Sequence, residues 1–182
     1  MANQLQKGNV DRVFAALDLD GDGRLTWADF EVTARDIGRE VDLGEDAPGV
    51  RELTAAYRRV WEYVCGAADT DLDDAVSKDE FEQAHLDGEL STEELVSRWV
   101  AAAARGFELV DADRDGRIDL DELTRMYRGA GVADAQAVAG TAFAAMDTDG
   151  DGWVDKDEWI ASVRGLFTAT EGTVKGARLL GA

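Results

Sequence analysis

The sequence predicts an all-α protein built from four helix–loop–helix units, and three observations carry that prediction. Four short segments place Asp at alternate positions, beginning at Asp18, Asp69, Asp111 and Asp147. Each closes at its twelfth position with an acid, Asp29, Glu80, Glu122 or Glu158, followed at once by the apolar Phe30, Phe81, Leu123 or Trp159. The segments that flank them repeat apolar residues at helical spacing. The four starts lie 51, 42 and 36 residues apart, so the repeat is a unit with variable connections and not a strict solenoid.

The helices can be justified in order. Before the first loop, Val10, Val13, Phe14 and Leu17 lie on one helical face. The long connection to the second loop includes VDLGEDAPG at 41–49, with the only proline, Pro48, at a favoured helix start. From there Val50, Leu53, Tyr57, Trp61, Val64 and Ala68 form a continuous apolar stripe. Ser91 and Glu94 read as a capping box that opens a helix with Leu95, Trp99, Ala103, Phe107 and Val110 on one face. Val138, Ala142, Phe143 and Met146 repeat the pattern before the fourth loop. Four residues before the loops stand Phe14, Cys65, Phe107 and Phe143, and position 8 of the loops is Leu25, Val76, Ile118 and Val154. The tail at 168–182 departs from a plain helix, because Gly172, Gly176 and Gly181 interrupt it; Val174, Leu179 and Leu180 are the residues that could fold back on a core.

Composition excludes several classes of function. The 182 residues carry 39 acids against 19 bases, a formal net charge of −20. Such a charge repels nucleic acid and anionic membrane surfaces and favours cations or basic segments. One cysteine cannot form an internal disulfide, so no oxidising compartment is implied. MANQLQKGNV has no apolar run of the secretory kind, and no stretch approaches the length of a membrane span, so a cytoplasmic location is expected. Fifteen Arg against four Lys, with abundant Ala and Gly, point to a GC-rich bacterial genome.

The loop spacing has a chemical reading. A hard divalent cation is held by oxygens, and calcium takes six to eight of them. Carboxylates at loop positions 1, 3 and 5 converge when the chain wraps around the ion. Position 6 turns sharply, position 7 offers a backbone carbonyl, position 9 ligates directly or through water, and the acid at position 12 closes the shell with two oxygens. The third loop fills these positions with Asp111, Asp113, Asp115, Gly116, Arg117, Asp119 and Glu122, and the fourth with Asp147, Asp149, Asp151, Gly152, Trp153, Asp155 and Glu158. The first uses Asp18, Asp20, Asp22, Gly23, Arg24, Thr26 and Asp29. Asp29 is one methylene shorter than Glu, which brings the shell nearer the six-oxygen octahedron of magnesium. The second keeps Asp69, Asp71, Asp73, Ser77 and Glu80 but has Asp74 at position 6, Leu72 at position 4 and Ala75 at position 7. A left-handed Asp costs about 1–2 kcal/mol, roughly a tenfold loss of affinity. Two readings stand for this loop: it binds weakly, or it stays empty and only maintains the fold.

These residues resemble the EF-hand family over nearly the whole chain. The long first step, the weak second site and the C-terminal extension are similar to the sarcoplasmic calcium-binding proteins and their bacterial counterpart, calerythrin. The resemblance implies a compact protein of two paired-hand halves, 1–88 and 89–182, in which the position-8 residues form short antiparallel pairings of loop one with two and three with four. It also implies calcium as the ion, with magnesium an alternative at the first site, in a monomeric cytosolic buffer or transporter. The rival reading is a sensor that opens a groove for a protein target. Sensor grooves are rich in Met, and this chain has only Met1, Met126 and Met146, so the buffer is favoured. No Ser–His–Asp, GxGxxG or GxxxxGK arrangement is present, and the acid pairs belong to the loops, so no enzyme is expected. Cys65 reads as a packed core thiol, His85 as no metal ligand, and the five Trp as core and loop-flank residues.

Overall fold

Each acidic loop ends where a helix begins, and one pair of residues serves both purposes. Ser77, Asp119 and Asp155 accept a hydrogen bond from the backbone amide of the acid three residues on, at 3.3, 2.8 and 2.9 Å. The carboxylates of Glu80, Glu122 and Glu158 accept the amides of those same capping residues, at 2.9, 3.1 and 3.1 Å. This is a capping box. Position 9 of the loop is therefore the N-cap, and the closing acid is the third residue of the helix.

The computed structural model describes residues 10–168 apart from Arg12, Ala16 and Leu19. The described residues of 10–17 are helical (α1). After them come β1 (Arg24–Thr26), α2 (Trp27–Glu40), α3 (Pro48–Ala68), β2 (Ala75–Ser77), α4 (Lys78–Asp87), α5 (Thr92–Val110), β3 (Arg117–Ile118), α6 (Leu120–Gly129), α7 (Ala135–Met146), β4 (Val154–Asp155) and α8 (Lys156–Thr168). Each loop thus sits between two helices. Pro48 is the first residue of α3, where its missing amide donor costs nothing.

The loops pair as expected. β1 runs antiparallel to β2 with Leu25 opposite Val76, and β3 antiparallel to β4 with Ile118 opposite Val154. All four of these residues are fully buried, so each two-stranded ribbon is pinned to the core by its middle.

The two pairs of units share one core. Phe30 of α2 meets Tyr57 and Trp61 of α3 and Trp99 of α5, and Trp99 in turn meets Phe167 of α8, at centroid separations of 5.9–6.3 Å. Tyr57 stacks on Trp99 at 5.6 Å. The indole Nε1 of Trp159, on α8, donates to the Ala103 carbonyl of α5 at 2.9 Å. The seam is tight enough to depend on a glycine: a Cβ placed on Gly129 of α6 would lie 2.5 Å from the Ile37 Cα of α2. Beside it, Arg128 reaches Glu40 at 2.9 Å.

Two expectations are modified, and a third falls outside the described residues. Ser91 caps α5 by accepting the Glu94 amide at 3.4 Å, but the reciprocal half of the box is not made, because the Glu94 carboxylate pairs with Arg98 at 2.7 Å. Cys65 is only partly buried, and its thiol points at the Asp69 carboxylate, Sγ to Oδ2 3.6 Å. Of the tail at 168–182, Val174, Leu179 and Leu180 lie outside the described residues.

Candidate metal sites

The four loops follow one hydrogen-bonding plan, set by residues close in sequence. The position-1 carboxylate accepts the amide of position 6: Gly23 on Asp18 at 3.0 Å, Asp74 on Asp69 at 3.2 Å, Gly116 on Asp111 and Gly152 on Asp147 at 3.1 Å. One oxygen of the position-5 carboxylate, Oδ1, accepts the amide of position 7. These bonds run from Arg24 to Asp22 at 2.8 Å, Ala75 to Asp73 at 3.0 Å, Arg117 to Asp115 at 2.8 Å and Trp153 to Asp151 at 3.0 Å. The position-5 bonds use Oδ1 and leave Oδ2 without an amide donor, whereas in loops two, three and four the second oxygen of the position-1 Asp also accepts the amide of position 5.

The result is a tight cluster of anionic oxygens in every loop. One oxygen from each of Asp111, Asp113 and Glu122 lies within 4.8 Å of the others, as do those of Asp147, Asp149 and Glu158. In the first loop the trio is Asp18, Asp20 and Asp22, and in the second Asp69, Asp71 and Asp73. Carboxylates crowded in this way repel one another, and a divalent cation between them relieves that repulsion. The first loop carries a further sign that a cation fits it. Asp29 is 5% exposed, and its Oδ2 accepts the Thr26 amide at 2.8 Å and the Thr26 hydroxyl at 2.9 Å. Its Oδ1 is buried without a hydrogen-bond partner among the described residues, and so is Oδ1 of Asp18. Buried anionic oxygens without donors are costly unless a cation meets them.

The closing acids differ in electrostatic setting. Burial pushes the carboxyls of Asp29 and Glu122 above their usual range, against the hydrogen bonds from Thr26 to the one and from Asp119 and Ala112 to the other. Glu80 is drawn down to about 2 by the amide and hydroxyl of Ser77 and then by those of Thr70. Burial would raise Glu158, but the amide and hydroxyl of Thr148 and the amide of Asp155 outweigh it and bring it below the usual range. Thr70 and Thr148, at position 2, are supporting residues that spacing alone does not reveal; each gives both its amide and its hydroxyl to the closing glutamate.

The backbone adds a second requirement that the sequence reading missed. Position 4 is left-handed as well as position 6. The pairs are Gly21 and Gly23 (φ +74° and +84°), Leu72 and Asp74 (+62° and +60°), Arg114 and Gly116 (+61° and +83°), and Gly150 and Gly152 (+75° and +86°). The first and fourth loops meet both turns with glycine, the third meets one, and the second meets neither. The doubled Gly of DGDG was the signal. A branched side chain at positive φ is strongly disfavoured, and Leu72 gains no burial in return, being 84% exposed.

Arg24, Arg117 and Trp153 stand at position 7 with side chains turned outward from their own loops. Trp153 is 36% exposed. The guanidinium of Arg24 crosses to the neighbouring loop and hydrogen-bonds Oδ2 of Asp73. His85 stays out of any acidic cluster among the described residues; its Nδ1 lies 2.9 Å from the Phe81 carbonyl.

Comparison with known proteins agrees with this geometry. A family model described as an EF-hand domain pair matches residues 100–158, and a second of the same description matches residues 1–36. A protein of Oryza sativa subsp. japonica named probable calcium-binding protein CML28 is 32% identical over 136 residues, 68% of this chain and 74% of that protein. Calerythrin of Saccharopolyspora erythraea is 26% identical over 146 residues, 75% of this chain and 78% of calerythrin. A Streptomyces coelicolor calcium-binding protein, solved in a study of prokaryotic calcium-mediated regulation, superposes with a TM-score of 0.72 at 24% identity, covering 90% of this chain and 98% of that one.

Proposed function

This chain belongs to the EF-hand calcium-binding proteins, and from that premise we propose that it is a calcium buffer, not a sensor. Asp18, Asp20, Asp22 and Asp29 hold one ion, with Arg24 giving its carbonyl. Asp111, Asp113, Asp115 and Glu122 hold a second with the carbonyl of Arg117, and Asp147, Asp149, Asp151 and Glu158 a third with that of Trp153. Loop two is empty or only partly filled, because Leu72 and Asp74 must both be held left-handed for its oxygens to converge.

One observation supports the buffer reading. The apolar faces that a sensor would present to a target helix are already turned on each other. Phe30, Tyr57, Trp61, Trp99 and Phe167 come from α2, α3, α5 and α8, and they form one buried or half-buried cluster across the two halves. Opening this cluster would expose aromatic surface from both halves at once, which is expensive. No helix among the described residues is long and apolar enough to cross a membrane.

Two measurements test the proposal. Calorimetric titration in millimolar magnesium should give three calcium ions per chain, with loop one the most exchangeable with magnesium. A hydrophobic dye should show at most a small rise in fluorescence on calcium addition. A large calcium-dependent rise would mean that a docking surface opens, and the protein would then be a sensor.

A further inference from the structure

We infer that Arg24 is a built-in counter-cation for loop two, competing with calcium there from the neighbouring loop. The argument rests on which oxygen it occupies. In each loop, Oδ1 of the position-5 Asp takes the amide of position 7, and Oδ2 is the oxygen left for an ion. In loop two that remaining oxygen, Oδ2 of Asp73, is the one the Arg24 guanidinium holds through Nη2. Both oxygens of Asp73 are therefore engaged. The guanidinium also lies in the field of Asp71 and Glu80, two more of the ligand set of loop two.

The paired strands make the contact repeatable. β1 sets Arg24 opposite Ser77, three residues after the bend that carries Asp74. The second pair repeats the arrangement: Arg117 lies opposite Asp155, and its guanidinium stands 3.5 Å from Oδ2 of Asp151, the position-5 oxygen of loop four. There the contact is longer, so the competition is weaker. In both pairs the position-7 side chain of the first loop bears on the ion-binding oxygen of the second. Calcium entering loop two must displace a fixed positive charge and then bind close to it.

The inference rests on the reading that these loops bind calcium, and the test separates the two. The full chain, isotopically labelled, is titrated with calcium as wild type, Arg24→Lys and Arg24→Gln. The backbone amides of Asp74 and Ala75 report loop two, and those of Gly116 and Gly152 report loops three and four. An exposed ion pair of this kind is worth up to about fivefold in an equilibrium, and like-charge repulsion from a divalent ion adds to it. Arg24→Gln should therefore fill loop two at about five- to tenfold lower calcium. Arg24→Lys, which keeps the charge but loses the planar fork, should fall between. If loops three and four respond and Arg24→Gln leaves loop two unchanged, unfilled or weaker, the inference is wrong and the buffer proposal stands. If loops three and four do not respond at all, the metal-binding reading fails and the inference falls with it.

Discussion

Gly129 offers a direct test of whether the two halves form one body. It ends α6 with its Cα facing the backbone of α2. A methyl group there would meet Ile37 Cα at 2.5 Å, Ile37 N at 2.7 Å and the Asp36 carbonyl carbon at 3.0 Å. Comfortable carbon contacts lie near 3.5–4.0 Å, and all three neighbours are main-chain atoms that cannot rotate away. Gly129→Ala must therefore widen the α2–α6 seam by about 1 Å. Overpacking of this kind costs about 1–3 kcal/mol. Against it stands the gain from replacing a helical Gly, at most about 1 kcal/mol and smaller at a helix end. Gly140, inside α7 with nothing within 4 Å of an added Cβ, isolates that gain. For a chain of this length, 1 kcal/mol is about 2–4 °C in melting temperature. In saturating calcium, Gly140→Ala should melt about 1–4 °C above wild type and Gly129→Ala below it, by up to about 12 °C. If Gly129→Ala melted at or above wild type, the halves would not be closed on each other as described. The argument against a sensor would then lose its footing.

Other outcomes follow from the loops. Burial raises the carboxyls of Glu122 and Asp29, so without an ion the fold loses stability as pH climbs from the unfolded value through the folded one. Glu122→Gln or Asp29→Asn should therefore melt above wild type in chelator at neutral pH and below it in calcium; the same sign in both conditions would refute this. Glu158→Gln should weaken its site far more than Trp153→Ala, since one loses a charged ligand and the other keeps its carbonyl, and calorimetry on the two variants decides it. Asp74→Gly and Leu72→Gly should each tighten loop two by roughly tenfold, the equivalent of about 1.4 kcal/mol of backbone strain. No gain from either would show that strain is not what weakens the loop.

What the sequence made legible was whatever depends on near neighbours. The acidic clusters of the loops, the flanking helices and the position-8 anchors are all set by residues close in sequence, so their spacing carried them. Position 4 was legible in principle, as Gly21 and Gly150, but Leu72 and Arg114 broke the pattern and hid it. Contacts between distant segments left no local trace. Arg24 and Asp73 are 49 residues apart and meet only because two strands pair. Gly129, in a Gly–Ala–Gly run, looks like an ordinary helix end, and nothing nearby in sequence announces that another helix backbone rests on it. The half-made box at Ser91 failed for a local reason instead: Arg98, one turn on, takes the Glu94 carboxylate.

The uneven use of glycine at the two left-handed positions has an evolutionary consequence. Asp and Gly codons differ by a single base, so loop two stands one nucleotide change from relief of half its strain. Asp69, Asp71 and Asp73 already converge there, and Glu80 already closes the loop onto α4. With the loops binding calcium as proposed, selection could raise or lower the number of ions held by editing a solvent-exposed bend. The shared core and the other three loops would be left untouched, and capacity would become a heritable setting separable from the fold.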